Sequence, residues 1–313
     1  MWRFAIRGGV GGVTSWNDPE IAGVRALLAT RQPDPDAPPT FVQRRVEMDA
    51  NGELGALPNG TFHEPVTVGG VKGERIVPQE AVPGRVLLYL HGGGYTIGSP
   101  RSHRPLAARL GGAARTVAIV PDYRLGPEHR FPGAVEDAVA VYRALLEGGT
   151  EPGHLIVAGD SAGGGLTLAL ALALKAEGLP QPAGFFAISP WADLTQSGAS
   201  YAAKAEHDPM ITRAGLDQMA LAYLGGLDAH DPLASPIFGD FADVAPVLIQ
   251  TGSEEALLSD SITMADVLAH ARVEVRLEVW PEMIHVFHAW GGQLQAARRA
   301  IRLAGVWMEG RFA

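Results

Sequence analysis

The chain has 313 residues, of which 47% are hydrophobic, so it is long and apolar enough to bury a large core in a single α/β domain. Its formal net charge is −9 and no block of basic residues stands out, so we predict that it has no nucleic-acid partner. The absence of cysteine excludes disulfides, thiol catalysis and thiolate metal sites.

Residues 1–45 are predicted to form a leader followed by a cap helix. The first stretch is mildly apolar, but Arg7 interrupts it and no cleavage pattern follows, which disfavours a signal peptide. The helix is predicted to start at Asp18, which would cap it, with Pro19 at its first position. A linker rich in proline and aspartate, residues 31–39, ends it. No apolar run reaches the length of a membrane span, and we predict a cytoplasmic protein without membrane association.

Strand and helix patterns alternate through most of the chain after two short predicted strands at 63–68 and 74–77. The strand patterns are continuous apolar runs: RVLLYL, TVAIVPDYRL, LIVAGDS, GFFAIS, PVLIQTGS and VEVRLEVW. The helical patterns between and after them cover 106–110, 134–146, 166–177, 260–271 and 293–308. Continuous apolar strands separated by helices indicate a mostly parallel sheet with helices on both faces.

Residues 194–231 interrupt this alternation. They contain a helical pattern at 212–224 and polar turns, but no buried strand. An insertion at this place would lie over the carboxyl ends of the strands, where α/β sheets bind ligands. We therefore predict a helical cap made of this insertion and the N-terminal helix, with residues 46–193 and 232–313 forming the catalytic domain.

A serine stands at the corner between a predicted strand and a predicted helix. The sequence GDSAG around Ser161 fits the G-x-S-x-G nucleophile elbow, in which a sharp turn exposes the serine hydroxyl and small neighbours let strand and helix approach. Gly159 and Gly163 are those neighbours. The alternative is a serine that merely caps the helix, and this motif alone does not decide between the two.

The strand RVLLYL ends in the sequence His91-Gly92-Gly93-Gly94. This is the HGGG-type loop that supplies part of the oxyanion hole in esterases and lipases. Three glycines leave the main-chain N–H groups accessible to a substrate. Together with the elbow downstream, the loop favours an esterase over a flexible turn.

The last predicted strand is followed by a loop that contains His285 and His288. His285 occupies the place of the general base in the chain order serine, acid, histidine. His288 is its rival, and the H-x-x-H spacing could also suggest a metal pair. No third ligand with suitable spacing is visible, so we predict no metal site, and we expect His288 to begin the next helix.

The acid that would orient the histidine should follow the strand PVLIQTGS. Glu254, Glu255 and Asp260 are the candidates there. Adjacent residues of an extended segment point to opposite sides, so only one of the two glutamates can face His285. Asp260 is expected to cap the next helix.

Five segments of the chain together resemble the hormone-sensitive-lipase-like α/β-hydrolases, the bacterial family IV esterases. They are HGGGY (91–95), DYRLGPEHRFP (122–132), GDSAGG (159–164), SPWADLT (189–195) and MIHVFH (283–288). The resemblance extends over roughly residues 18 to 310. It implies an α/β-hydrolase fold, a serine nucleophile at Ser161 and a base at His285. It also implies an oxyanion hole of backbone N–H groups from Gly93, Gly94 and Ala162, with Gly92 in the same loop.

The same resemblance bears on the acid. The family pattern D-P-L-x-D is replaced here by Glu255-Ala256-Leu257-Leu258-Ser259-Asp260. Aligning the leucine of the pattern with Leu257 puts Glu255 in the place of the aspartate, with Glu254 as the fallback.

These features predict a serine carboxylesterase that acts on short-chain acyl esters without a cofactor. Tyr95, Trp191, Met210 and Phe287 are candidates for its substrate pocket, although each could equally be ordinary core. The alternatives are a lactonase, an amidase, an acetyl-hydrolase of a secondary metabolite, or a ligand-binding protein on the same fold. Plant gibberellin receptors are of this last kind, but they lack the catalytic histidine. A small ester is the expected partner, and a homodimer is left open.

Overall fold

The structure, a computed structural model, describes residues 19–30 and 38–312. The predicted leader, the cap at Asp18 and most of the predicted linker lie outside these residues. The strands are β1 (Phe62–Val68), β2 (Val71–Val77), β3 (Val86–Leu90), β4 (Val117–Pro121), β5 (Leu155–Asp160), β6 (Gly184–Ile188), β7 (Val247–Gly252) and β8 (Val275–Trp280). The α-helices are α1 (Ile21–Ala29), α2 (Phe41–Glu53), α3 (Pro100–Ala114), α4 (Gly133–Glu147), α5 (Ala162–Ala176), α6 (Ser200–Ala203), α7 (Arg213–Leu224), α8 (Leu258–His270) and α9 (Gln295–Glu309).

The eight strands form one sheet in the order β1-β2-β4-β3-β5-β6-β7-β8. Strand β2 is antiparallel to both of its neighbours, and all pairs from β4 to β8 are parallel. The predicted α/β-hydrolase architecture, a mostly parallel sheet with helices on both faces, is therefore confirmed. Parallel strands end at the same edge of a sheet, so the loops after β3, β5, β7 and β8 lie together there.

Side-chain alternation along the strands explains the two-faced core. In β3, Leu88 and Leu90 pack into the cluster that contains α4, α5 and α8 residues. Leu87 and Tyr89 pack into the opposite cluster, which contains residues of α3 and α9. Successive residues of a strand point to opposite faces, so a strand covered on both sides must be apolar throughout. This is the pattern that the sequence shows.

Several element boundaries differ from the predictions. Helix α1 begins at Ile21, and Pro19 lies in the turn before it. Helix α3 starts well before residue 106, because the Ser99 side chain accepts hydrogen bonds from the N–H groups of Arg101 and Ser102 and caps it. Helix α2 was not predicted, and the proposed boundary at residue 45 falls inside it. No helix of the described ranges is long and apolar enough to cross a lipid bilayer.

Candidate active site

Ser161 lies at the sharp corner between β5 and α5. Its backbone has φ 55° and ψ −121°, a conformation that few non-glycine residues adopt. A side chain at Gly163 would overlap the carbonyl oxygen of Leu90, and one at Gly159 would overlap the carbonyl oxygen of Gly163. Ser161 stands at the N-cap position of α5, yet its hydroxyl makes no capping hydrogen bond. The helix-cap alternative is therefore wrong, and the hydroxyl is free to contact another group.

That group is His285, in the loop after β8. Its Nε2 atom lies 3.0 Å from the Ser161 hydroxyl, and its Nδ1 atom lies 2.7 Å from Oε2 of Glu255. Both the imidazole and the carboxylate are almost fully buried. A carboxylate on Nδ1 leaves Nε2 as the proton acceptor for the hydroxyl. Ser161, His285 and Glu255, which the sequence predicted as nucleophile, base and acid, therefore form one continuous hydrogen-bonded chain.

Two hydroxyl groups that sequence reasoning missed hold the second oxygen of Glu255. Ser189 and Thr251 donate to its Oε1 atom over 2.9 and 2.7 Å. The N–H group of Gly252 donates to the same oxygen. Ser189 also accepts a hydrogen bond from the N–H of Val286, next to the histidine, at 3.2 Å. Ser189 thus connects the acid to the histidine loop. The only sequence signal for it was its place in the SPWADLT segment.

The other two acids contact different partners. Glu254 is partly exposed, and its carboxylate lies 3.3 Å from the amine of Lys204. The expected helix cap at Asp260 is wrong: α8 begins at Leu258, and Asp260 is buried in its first turn. Its Oδ2 atom accepts from the N–H groups of Ala192 and Asp193, each at 3.0 Å. Asp260 therefore holds the loop after β6, not the end of its own helix.

The surroundings of His285 set its protonation. Burial alone disfavours the imidazolium, but the hydrogen bond and the charge of Glu255 outweigh it, with smaller contributions from Asp208 and Asp160. The net result is a raised pKa for His285. The site therefore stabilises the charged imidazolium that forms when the histidine takes a proton.

Asp208 links the predicted cap insertion to the acid loop. Its Oδ2 atom accepts from the N–H of Ala256 at 2.8 Å, next to Glu255. Its Oδ1 atom accepts from the N–H groups of Met210 and Ile211, each at 2.9 Å. Sequence reasoning missed this residue, because nothing local distinguishes it from a solvated aspartate.

The loop after β3 presents backbone N–H groups near Ser161. Gly93 and Gly94 have φ values of 118° and 59°, which side chains rarely tolerate. Among the described residues, no hydrogen bond engages the N–H of Gly93, Gly94 or Ala162. Gly92 differs from the prediction: its N–H donates to Oδ1 of Asp160 at 3.1 Å. That N–H is occupied within the protein and is not available to an oxyanion.

Asp160, the residue before the serine, fixes this loop. Besides the Gly92 N–H, it accepts a hydrogen bond from the hydroxyl of Tyr89 at 2.5 Å, and it lies 3.4 Å from Nε2 of His103. Burial disfavours its carboxylate, but the charge and hydrogen bond of His103 and the hydrogen bond from Tyr89 leave its pKa lowered. His91 of the same loop is fully buried and stacks on Tyr123, with ring centroids 4.2 Å apart.

His288 lies away from this chain of contacts. It is fully buried in a short 3-10 turn, before helix α9 and not at its start, and its Nε2 atom lies 2.8 Å from Oε1 of Gln250. Burial lowers its pKa to about 3. Within the described ranges, no cluster of three histidine, aspartate or glutamate residues could hold a metal ion.

A cavity of about 650 Å³ opens at Ser161 and His285. Of the four predicted pocket residues, Met210 lines it. The other three are buried in the core outside its lining. Tyr95 stacks on Tyr223 with centroids 4.0 Å apart, and Phe287 packs on Trp280 at 5.6 Å, while Trp191 is fully buried near Tyr95. Leu216 and Met219 of α7 also line the cavity, so the predicted cap insertion contributes to its wall.

Comparison with known proteins places this geometry in a family. A family model described as an alpha/beta hydrolase fold matches residues 87–289, which include the serine elbow, the glycine loop, Glu255 and His285. The chain belongs to this family.

Relatives define the subgroup. An acetyl-hydrolase of Streptomyces hygroscopicus is 44% identical over 294 residues, which make up 93% of this chain and 96% of the relative. An esterase of Acinetobacter venetianus is 34% identical over 238 residues, 76% of this chain and 78% of the relative. A solved esterase of the bacterial hormone-sensitive lipase family is 35% identical, with a TM-score of 0.91 over 95% of this chain and 99% of that one. The chain is a hormone-sensitive-lipase-like esterase, a carboxylic ester hydrolase.

Proposed function

We propose that this protein is a serine carboxylesterase that hydrolyses short-chain acyl esters through Ser161, His285 and Glu255. The observation that carries the proposal is the unbroken chain of contacts from the Ser161 hydroxyl through both nitrogens of His285 to Glu255. This is the arrangement that activates a weak nucleophile at neutral pH.

The mechanism follows from the positions of the donors. His285 Nε2 takes the Ser161 proton while the serine oxygen attacks the ester carbonyl. The N–H groups of Gly93, Gly94 and Ala162 are free to donate to the oxyanion, and losing one such donor typically raises the barrier by about 3 kcal/mol. The imidazolium then protonates the leaving alcohol and an acyl-enzyme remains. Water, deprotonated by His285, releases the acid and restores the serine.

The preference for short acyl chains has two supports. Met219 of α7 packs closely on Gly94: a side chain at position 94 would overlap the Met219 sulfur. Met219 therefore narrows the space beside the loop at Gly93 and Gly94. The relative from Streptomyces hygroscopicus carries the name acetyl-hydrolase, and an acetyl group is the shortest of the expected acyl groups. The same relative favours the alternative of an acetyl-hydrolase, which needs the same catalytic groups.

A series of p-nitrophenyl esters with acyl chains from two to sixteen carbons tests the proposal. We expect the highest kcat/KM at about two to six carbons, because Met219 narrows the space beside Gly94 and a small acyl site gains little from further methylenes. Rapid mixing should give a burst of p-nitrophenol equal to the enzyme concentration if the acyl-enzyme accumulates. A maximum at long chains would contradict the chain-length proposal, and a Ser161→Ala variant with unchanged turnover would contradict the mechanism.

A further inference from the structure

The cavity at Ser161 extends far beyond the candidate catalytic groups, to the N-terminal helix α2. Arg44, Met48 and Asn51 line it from one face of that helix, at the spacing of successive turns. Arg109 of α3 lines it as well. A short acyl chain fills only a fraction of a volume of about 650 Å³, so the outer part has room for another part of the substrate.

Helix α2 is anchored to the protein, so the backbone that carries Arg44 has a fixed place. The neighbouring Arg45 donates to the carbonyl oxygens of Thr96 and Gly126 at 2.8 and 2.7 Å, and it pairs with Glu128 at 2.7 Å. One turn further on, Asp49 accepts a hydrogen bond from the Ser99 hydroxyl at the start of α3. These contacts hold the helix face that carries Arg44 against the cavity.

Arg44 itself is half-buried, and its side chain makes no hydrogen bond and no ion pair among the described residues. Glu47 attracts it from the next turn without forming an ion pair. Burial outweighs that attraction and lowers the pKa of the guanidinium, although it stays charged. A partly desolvated guanidinium whose donors contact no described protein group is available to bind an anion in the cavity.

No other residue of the described cavity lining neutralises the positive charge of Arg44. Arg109 donates only to the carbonyl oxygens of Pro105 and Ala56, at 3.1 and 2.8 Å, and forms no ion pair within the described ranges. The acidic residue in the described cavity lining is Asp160. It is buried beside His103 and accepts a hydrogen bond from the N–H of Gly92. Among the described lining residues, the outer part of the cavity thus carries two guanidinium groups and no carboxylate, in a chain whose net charge is −9.

We propose that the ester substrate carries a carboxylate, which binds to the guanidinium of Arg44 while its ester group lies at Ser161. This rests on the proposed function and narrows it to hemiesters of dicarboxylic acids or esters of hydroxy- or phenol-carboxylic acids. The planar fork of arginine matches a carboxylate in two parallel hydrogen bonds, and Arg109 strengthens the field around it. The substrate is thus anchored at one end by charge and cleaved at the other.

Two matched pairs of esters test this. In the first, the acyl part carries the charge: mono-p-nitrophenyl adipate against the p-nitrophenyl ester of adipic acid monoamide. In the second, the leaving group carries it: 4-carboxyphenyl acetate against 4-carbamoylphenyl acetate. Rates measured with Ser161→Ala are subtracted to remove spontaneous hydrolysis. We expect the anionic member of at least one pair to have roughly tenfold or higher kcat/KM, as a charge-assisted hydrogen bond predicts.

The variants decide whether Arg44 is responsible. Arg44→Gln should bring the ratio of anionic to neutral kcat/KM close to one, and Arg44→Lys should keep part of it. Arg302→Gln removes the same charge from an exposed position on α9 outside the cavity lining and should leave the ratio as in wild type. High salt should lower the wild-type ratio.

The outcomes separate this inference from the function beneath it. If the wild-type protein cleaves the neutral esters and prefers neither anionic one, or if the preference survives in Arg44→Gln, the carboxylate proposal is overturned and the esterase proposal stands. If it cleaves none of the four esters beyond the Ser161→Ala background, both fall.

Discussion

Oε2 of Glu255 lies 2.7 Å from Nδ1 of His285, while the carboxylate of the adjacent Glu254 contacts Lys204 on the outside of the same loop. Two neighbouring glutamates thus have opposite environments, although they lie in the turn between β7 and α8 and not in the extended segment that the prediction assumed. Glu255 is fully buried and accepts hydrogen bonds on both oxygens, which holds the histidine in one tautomer.

Replacing Glu255 by alanine should therefore lower kcat by roughly 10⁴-fold, a loss typical of a triad acid. The effect should fall on kcat more than on KM, because the carboxylate stabilises the imidazolium that forms during the reaction. Glu254→Ala is the matched control and should keep most of the wild-type kcat. A folded Glu255→Ala protein with near wild-type turnover, judged by its melting temperature, would contradict the assignment and point to Glu254.

The two histidines of the H-x-x-H segment should separate by function and stability. His285→Ala should cost several orders of magnitude in kcat, like Ser161→Ala, because the two side chains act as a unit. His288→Gln should keep most of the turnover but lower the melting temperature. His288 is fully buried and contacts Gln250, away from the reacting groups. Steady-state kinetics and thermal unfolding of the variants check this. An inactive His288→Gln with an active His285→Ala would mean that the base is His288.

The pH dependence of kcat/KM should report the environment of His285. Only the neutral imidazole can take the serine proton, and Glu255 raises the pKa of His285 above its ordinary 6.5. Activity should therefore fall as the pH drops through a value above 6.5. In Glu255→Gln the residual activity should show this midpoint at lower pH, because the main group that stabilises the imidazolium is gone. An unchanged midpoint in that variant would contradict the pairing.

Ser189 should act as a positioning residue. Its hydroxyl donates to Glu255 and accepts from Val286, so Ser189→Ala releases both the acid and the histidine loop. We expect about a tenfold fall in kcat, of the size that one lost hydrogen bond to a charged group predicts. Ser253→Ala is a close control, because that hydroxyl donates to Glu254 and accepts from the N–H of Glu282. Equal losses in both variants would indicate a general structural effect.

Asp260 predicts a specific pH dependence of stability. Burial raises the pKa of Asp260 to about 8. Hydrogen bonds such as that from Tyr201 lower this pKa, while the charge of the nearby Asp193 raises it further. The unfolded chain would release this proton near pH 4. Its contribution to the free energy of unfolding is therefore complete below about pH 4 and is lost as the pH rises through about 8.

The variant Asp260→Asn keeps a neutral side chain at every pH. Its melting temperature should fall less steeply than that of the wild type between pH 4 and 8, as differential scanning calorimetry would show. Parallel curves for the two proteins would mean that Asp260 is ionised in the folded state.

Local patterns account for what could be predicted from the sequence. The elbow at Ser161 and the loop at Gly93 and Gly94 depend on backbone turns that a few consecutive residues determine, so short motifs were enough to predict these turns. The apolar runs that alternate with helical patterns likewise predicted the parallel sheet, because each run is itself a local pattern. The bounds of α3 were misjudged because its cap, Ser99, precedes a stretch with little apolar periodicity.

Contacts between distant segments account for what could not be predicted. Ser189 and Glu255 are 66 positions apart, and only the parallel order of β6 and β7 brings their loops together. Gly92 belongs to the same glycine motif as Gly93, but its N–H donates to Asp160, a contact between distant segments that the motif does not indicate. Tyr95 was a pocket candidate because an aromatic residue beside an active site fits either role, and its stacking on Tyr223 of α7 depends on tertiary packing.

Labelling with phenylmethylsulfonyl fluoride tests the central claim, that Ser161 is a nucleophile activated by His285 and Glu255, most directly. Intact-protein mass spectrometry followed by peptide mapping should show one sulfonyl adduct, located on Ser161, whose appearance parallels the loss of esterase activity. The Glu255→Ala and His285→Ala variants should acquire it far more slowly, because their serine is not activated. An adduct on another residue, or full activity in a protein fully labelled at Ser161, would contradict the account.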